Sequence, residues 1–422
     1  MEKLRKEIEK VDKKIITLLA KRFILTKEIG VFKEKNNLPI YDEKREEELL
    51  ESLEKEAKKL NIPPPLIKRL YKEIFEESRK IQERTLDKIV IISDVSCNDI
   101  NGVSTALTYT EKYLKERHRK LLIIEPGMFH GMLLPHYKDL KLSLVTKRKM
   151  EKLLKEENPN YIHIATEGPL GLVARAVCIK NKWKFSTFYH TRVPEYIEIR
   201  FAKKLKKTTY NYMRWFHSKA ENTMVSGSSL KEDLEKMNFK NVVLCPLGVD
   251  LEKFKKNKNA PLLPGVKKPI YTFVGRIAPE KNLRAFLKCD LPGTKLIIGD
   301  GNERKKLEKE FTDNVIFTGI KKGEDLVNLL STSDVFVFPS KTETFGLVAL
   351  EALACGVPVA AYTGAIGLKD IITNGVDGVF DDDLEAAIKK CLTLDRDNCR
   401  KKAAQFMWKK FVTTFVKNLV HI

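Results

Sequence analysis

The stretch KIQERTLDKIVIISDVS, residues 80–96, decides how the chain is read, because two kinds of sequence meet in it. To its left a charged, helix-favouring run ends on Gln82. To its right KIVIIS, residues 88–93, has the apolar, β-branched character of a buried strand. A helical period thus gives way to strand-length apolar runs over a few polar residues, so the seam separates two kinds of folding unit. A chain of 422 residues accommodates two or three domains.

The totals exclude several classes. The seven cysteines are scattered and form no CxxC pair, which indicates neither a disulfide framework nor a zinc site and suits a reducing cytoplasm. Met1 is followed by EKLRKEIEK, without the basic tip and apolar run of a signal peptide. The weakly charged stretch LVALEALACGVPVAAYTGAIGL, residues 347–368, has the length of a membrane span. It carries Glu351 and a Gly-Val-Pro turn, and reads instead as helix, turn, strand and loop. The net charge of +21 is uneven: the excess of Lys and Arg over Asp and Glu is 4 in residues 1–84, 10 in 85–250 and 7 in 251–422. In the middle segment KRKMEKLLK (147–155) and RFAKKLKKTTYNYMRWF (200–216) interleave cations with apolar residues. Such faces serve as solvated surface or attract anionic lipid, phosphorylated substrates or nucleic acid. No recognised nucleic-acid motif accompanies them, so nucleic acid is not an expected partner.

Left of the seam, the spacing predicts one long helix over 3–34, roughly 45 Å at 1.5 Å per residue. Its apolar stripe runs Leu4, Ile8, Val11, Ile15, Leu18, then Arg22, then Leu25, Ile29 and Phe32. A guanidinium inside such a seam is costly unless an anion meets it. Helices over about 43–59 and 64–83 follow, separated by NIPPP at 61–65. Glu46 shares a face with Leu49 and Leu50, flanked by Asp42 and Arg45. The line Ile67, Tyr71, Ile74 continues into Ser78 and Gln82. Cations, a carboxylate, a hydroxyl and an amide therefore interrupt the apolar stripes, a set suited to a small polyanion. Patterning alone leaves open a plain three-helix bundle or coiled-coil dimerisation module whose interior ions pair with one another.

LRKEIEKVDKKIITLLAKR, VFKEKNNLPIYDEKREEELL and IFEESRKIQ resemble the all-helical chorismate mutases over residues 4–82. The positions matching that family's active site are Arg5, Arg22, Lys33, Asp42, Arg45, Glu46, Ser78 and Gln82. The resemblance implies a pericyclic conversion of chorismate to prephenate without metal or cofactor, catalysed by holding the compact conformer and stabilising charge on the breaking ether oxygen. It assigns the carboxylates to Arg5, Arg22 and Ser78, the ether oxygen to Lys33 and Gln82, the ring hydroxyl to Glu46 and the Asp42 backbone, and substrate placement to Arg45. It also implies an intertwined homodimer in which Arg5 reaches the other subunit's site, and the first helix is too long for two shorter partners to cover.

Right of the seam, KIVIIS, KLLIIE, YIHIA, FSTFYH, NTMVS and NVVLC alternate with helix-length polar segments. The alternation restarts after 251 with PIYTFVG, KLIIGD, NVIFTG, DVFVFPS and VPVAAY. This pattern predicts two doubly wound parallel halves with ligands in the cleft between them. DINGVSTAL (99–107) places Gly102 where backbone amides open a helix, and GRIAPEKN (275–282) supplies Arg276 and Lys281 after a strand. In PSKTETFGLVALEALACGVPVAA (339–361), Glu343 precedes a helix begun by Phe345 and Gly346, and Glu351 lies two turns along it. Paired carboxylates also occur in hydrolases, but that reading leaves the two cations and the glycines unexplained.

The Glu343/Glu351 pair, with GRIAPEKN and PLGVDLEKF (246–254), resembles the retaining family-four glycosyltransferases of the GT-B fold. IHIATEGPLGLVAR (162–175) and FYHTRVPEY (188–196) resemble members that transfer mannose or related sugars to glycolipids. The resemblance assigns Arg276 and Lys281 to the donor diphosphate, Gly102 to the phosphates, Glu351 to the ribose, Glu343 to the sugar hydroxyls and His190 to the reacting centre. His190 as an ordinary strand-end histidine stays open.

The expected chain is therefore multidomain: an all-α domain over 1–84, α/β Rossmann-like halves over 86–250 (acceptor) and 251–400 (donor), and a C-terminal helix over 401–422 returning to the acceptor half. The expected activity is bifunctional, a chorismate mutase joined to a retaining transferase of a sugar, mannose from GDP-mannose, to a lipid or glycan acceptor. The alternative keeps the transferase and makes residues 1–84 a dimerisation or chorismate-sensing module. Expected partners are chorismate, a nucleotide sugar, the acceptor and a second copy of the chain, in a cytoplasmic protein whose basic faces permit peripheral contact with the anionic inner face of a membrane.

Overall fold

The computed structural model describes residues 1–35, 38–84, 87–116, 119–129, 131–134, 137–143 and 145–422. The chain divides into two compact units, residues 1–89 with 111–122, and residues 90–110 with 123–422. Within the seam, Thr85 and Leu86 lie outside the described residues.

Three helices form the first part: α1 (Glu2–Lys35), α2 (Glu43–Lys59) and α3 (Pro64–Arg84). Asp42 starts α2 by accepting from the Arg45 amide at 3.1 Å. The helix ends where Asn61 takes a left-handed φ of 55° and the Ile62 amide returns to the Ala57 carbonyl at 2.9 Å, before the prolines begin α3. The bundle core is thin. Ile40, Ala57 and Phe75 are buried, and Thr26, Ser78 and Gln82 are buried beside them. With 34 residues against 17 and 21, α1 outruns its partners, and its stripe lies bare, with Leu4 66% and Ile8 60% exposed and Val11, Ile15 and Leu18 also exposed.

The remaining strands are β1 (Lys88–Ile92), β2 (Lys120–Ile124), β3 (Gly131–Leu134), β4 (Tyr137–Ser143), β5 (Tyr161–Ile164), β6 (Ser186–Phe188), β7 (Asn222–Val225) and β8 (Val242–Leu244), then β9 (Ile270–Val274), β10 (Thr294–Ile298), β11 (Val315–Gly319), β12 (Val335–Phe338), β13 (Val359–Ala361) and β14 (Gly378–Phe380). They build two six-stranded sheets in the orders β2-β1-β5-β6-β7-β8 and β11-β10-β9-β12-β13-β14. From β5 to β8, and throughout the second sheet, neighbouring strands run parallel. Ile89–Ile92 and Val335–Phe338 are buried throughout, as expected of strands covered on both faces. The antiparallel β3–β4 hairpin and the short β14 add to the expected strands. Residues 347–368 form a helix (Leu347–Ala354), β13 and a 3₁₀ turn (Ile366–Leu368). Among the described residues no helix is long and apolar enough to cross a membrane.

The Trp408–Lys417 helix packs on the first sheet. Phe415 meets the His163 ring edge-on at 4.8 Å, Trp408 stacks on Tyr109 at 4.5 Å, and the Asn222 side chain donates to the Asn418 carbonyl. A Cβ at Gly248 would lie 2.4 Å from the Trp408 amide nitrogen, so the backbones approach as only glycine permits. Trp408→Ala should therefore lower the stability of the α/β unit by about 3–5 kcal/mol, read from urea unfolding.

Candidate active sites

In the helical unit, Ser78 joins α1 to α3. Its hydroxyl donates to the Ile74 carbonyl one turn back at 2.5 Å and accepts from Arg22 Nη1 at 2.5 Å. Burial lowers the Arg22 pKa from its ordinary value, while Tyr71 and Glu46 oppose that shift. The guanidinium also faces the Phe75 ring at 5.8 Å. The cation in the apolar stripe thus has a neutral partner inside the monomer, and its charge is available to an anion.

Both carboxylate oxygens of Glu46 accept from Arg79 Nη1, at 2.8 and 2.6 Å, and Arg79 lies over the Tyr41 ring at 5.2 Å. Arg79 is a member of the site that sequence patterning missed. Its one signal was position: it follows Ser78, so α3 turns Ser78 toward α1 and the next residue toward α2. Lys33 Nζ donates to the Ile40 carbonyl at 2.7 Å, Asp42 caps α2, and Gln82 is buried one turn beyond Ser78. Arg45 is exposed and reaches Glu48 at 3.7 Å. Arg5 is exposed on the bare end of α1, roughly 25 Å along the axis from Arg22. Within one chain Arg5 does not join the others.

In the α/β unit, Lys281 Nζ meets Glu343 at 2.8 Å, with both side chains 17% exposed. Burial opposes the Lys281 charge, but Glu343 and the nearby Tyr196 hold its ammonium above the ordinary lysine range. Glu280, between the two cations of GRIAPEKN, is fully buried in its side chain. Arg200 reaches it from the first half through Nε at 3.0 Å and through a second contact, and Arg276 approaches at 3.4 Å. Burial favours the neutral acid, but Arg200 keeps the Glu280 carboxyl below its usual range. Arg276 stays half exposed, with 50% of its side chain accessible.

The halves meet again where Thr344 Oγ1 donates to the His190 carbonyl at 2.7 Å and Ser226 Oγ to the Thr344 carbonyl at 3.4 Å. The His190 ring stacks on Phe188 at 3.9 Å, and burial, with His217 behind it, pushes its pKa down to about 3. The ring is therefore neutral near pH 7. Gly346 holds φ 90°, and a Cβ there would lie 2.3 Å from Leu368 Cδ2. A Cβ on Gly102 would touch Leu347 Cδ1 at 3.4 Å, so the first half's glycine turn faces the start of the second half's Leu347–Ala354 helix. Phe345 is buried beneath that start, with its ring centroid 5.9 Å from that of Phe406. Burial pushes Glu351 up to about 7, opposed by Lys253. Arg200, Tyr196, Lys253, Glu280 and Thr344 were not singled out in the sequence. Glu280 was in the quoted motif, and only its burial distinguishes it.

Three family models account for most of the chain: Chorismate mutase type II over residues 4–83, Glycosyltransferase Family 4 over 101–253 and Glycosyl transferases group 1 over 254–406. The sulfoquinovosyl transferase SQD2 of Arabidopsis thaliana is 30% identical over 359 residues, covering 76% of this chain and 70% of the relative. The chain belongs to the family 4 glycosyltransferases. This glycosyltransferase carries a type II chorismate mutase domain at its N-terminal end. A GDP-mannose-dependent alpha-mannosyltransferase of Corynebacterium glutamicum is 26% identical over 69% of this chain and 76% of the relative. Among solved structures, the transferase resembles sucrose-phosphate synthase from Thermosynechococcus elongatus, with a TM-score of 0.64 at 19% identity over 78% of this chain and 98% of that one. It also resembles Anabaena HepE in complex with UDP and glucose, with a TM-score of 0.57 at 15% identity over 78% and 98%. The two parallel-sheet halves are thus a GT-B fold.

The folded pKa of Glu351, about 7, lies above the ordinary 4.5, so the stability this group contributes is fully present below pH 4.5 and is lost as pH rises through 7. Glu351→Gln should equal the wild type at pH 4.5 and exceed it by about 3 kcal/mol at pH 8, in nucleotide-free thermal or urea unfolding.

Proposed function

We propose that the helical domain converts chorismate to prephenate and that the GT-B domains transfer mannose from GDP-mannose, with retention, to a lipid or glycan acceptor. For the mutase, the observation that carries the reading is Arg22, a cation held at the bundle interior by a neutral hydroxyl. Arg22 and Ser78 receive a carboxylate, Lys33 and Gln82 the ether oxygen, Glu46 and the Asp42 backbone the ring hydroxyl, and Arg45 assists placement. Arg5 comes from a second chain, for which the bare stripe of α1 provides the contact surface. The Arg79–Glu46 pair favours a second reading, a chorismate-sensing or dimerisation module without turnover, since Glu46 is already engaged.

For the transferase, the carrying observation is the cation set around the buried Glu280 and the half-buried Glu343. Arg200 neutralises Glu280 from the first half, leaving Arg276 for the donor diphosphate beside Lys281, and Glu343 is positioned for the sugar hydroxyls. Gly102 and the start of the Leu347–Ala354 helix face the phosphates, and Glu351 faces the ribose. The leaving diphosphate accepts the acceptor's proton while the cations stabilise it, and neutral His190 lies beside the sugar. GDP-mannose is supported by the relatives named for that donor, and the lipid or glycan acceptor by relatives such as a phosphatidylinositol dimannoside mannosyltransferase.

Arg22→Ala should reduce prephenate formation by at least a hundredfold and leave sugar transfer within twofold of wild type, in parallel absorbance and radiolabelled-donor assays. Intact chorismate turnover in that variant rejects the mutase assignment, and a wild type that binds chorismate without consuming it selects the sensing module. Lys281→Ala should weaken GDP affinity at least tenfold, whereas Glu343→Ala should preserve it and lower turnover, by calorimetry and steady-state kinetics. Equal loss of GDP binding in both rejects the division of roles. Mixed Arg5→Ala and Arg22→Ala chains should recover mutase activity that neither has alone, and no recovery despite proven subunit exchange rejects the shared site.

A further inference from the structure

Beyond Arg200, which pairs with Glu280, the cationic run at 200–216 lies outside the donor site just described. It folds as the end of the Val193–Arg200 helix, a turn, and the Lys203–His217 helix, whose buried face is Tyr210, Met213, Phe216 and His217. The spacing of 203, 207 and 214 sets three cations along a neighbouring stripe. With Lys206, Asn211 and Asn238 they border an open groove of about 540 Å³ in which no carboxylate takes part.

The groove's charge is poorly met from within the protein. Lys206 is held by Glu198 at 2.6 Å, while Lys203 and Lys207 hold no carboxylate among the described residues. Arg214 reaches the Asn211 side-chain oxygen at 3.2 Å, and its Nε is buried with no hydrogen-bond acceptor. The carboxylates behind the groove are already engaged, Glu195 by the Tyr210 hydroxyl and Asp233 by Arg192 at 2.7 Å. The Arg214 guanidinium lines the groove and meets a neutral amide oxygen, so its charge is available to an anionic oxygen, which forms the stronger, charge-assisted bond.

We propose that this groove is a binding site for a phosphate group, with Arg214 donating to its oxygens and Lys203 and Lys207 supplying the opposing charge. A phosphate offers several oxygens and up to two charges, which matches a stripe of cations better than a single carboxylate does. The site shares no residue with Arg276, Lys281, Glu343 or Glu351 and does not depend on the donor assignment. The phosphate has two possible sources, free in solution or on a lipid headgroup. Phe201, 65% exposed, and the exposed Leu205 border the lysines and supply the apolar neighbours a lipid surface would use.

The test uses the full chain and two variants of equal charge change: Lys203→Gln/Lys207→Gln/Arg214→Gln in the groove, and Lys147→Gln/Arg148→Gln/Lys152→Gln in the other basic cluster. Inorganic phosphate is titrated by calorimetry, and vesicles of phosphatidylcholine with or without phosphatidylglycerol are assayed by co-sedimentation. The wild type should bind inorganic phosphate or phosphatidylglycerol vesicles at least tenfold more tightly than the groove variant, with the control variant within twofold. Binding to vesicles without binding to inorganic phosphate identifies the headgroup as the source, and the converse identifies soluble phosphate. Equal losses in both variants, or no binding of either probe by the wild type, overturn the proposal. If the triple groove variant melts below wild type, Lys203→Gln/Lys207→Gln, confined to exposed positions, gives the same comparison with an expected loss of at least threefold.

Discussion

The transferase is organised around one buried carboxylate. Glu280 lies where no water can solvate it, and an isolated charge there would be untenable. Arg200 from the first half and Arg276 from the second meet it, so the contact that joins the two sheets also fixes the strand-following turn that presents Arg276 and Lys281. The Thr344–His190 and Ser226–Thr344 hydrogen bonds then set the two walls of the cleft at a short distance. Arg200 also governs how much of Arg276 remains for a ligand, because a buried Glu280 deprived of Arg200 would claim Arg276 for itself.

The helical domain uses the same physics with less material. Its core holds few apolar side chains among the described residues, and several of its polar residues meet in pairs: Arg22 with Ser78, Glu46 with Arg79, Lys33 with the Ile40 carbonyl. Such a core provides specificity more than stability, and the apolar area it lacks lies unused on α1. A second copy of the chain would bury that stripe and add stability to a domain that is otherwise thinly packed.

Much of this is legible in the sequence. The helix limits followed from the helical spacing and from NIPPP as a break, whereas the Asp42 cap shows only in the fold, and the strands followed from β-rich runs repeating between polar segments. Gly346 could be placed at a helix start because its neighbours changed from loop to helix character, and the left-handed φ explains why glycine is there. β14 escaped because three residues, Gly378–Phe380, are too few to show a period, and β3–β4 because lysines interrupt its apolar residues. Arg79, Arg200 and Glu280 escaped for a different reason: a charged side chain looks like surface until a tertiary contact buries it. Patterning reports which face of an element is apolar, but not which neighbour a cation on the flank will meet.

The most direct measurement is a double-mutant cycle on nucleoside diphosphate affinity, with Arg200→Gln, Glu280→Gln and the two combined. Arg200→Gln alone should weaken GDP binding at least tenfold, because the orphaned Glu280 captures Arg276, and adding Glu280→Gln should restore most of the loss. Losses that simply add, or an Arg200→Gln chain that binds GDP as the wild type does, would contradict the account.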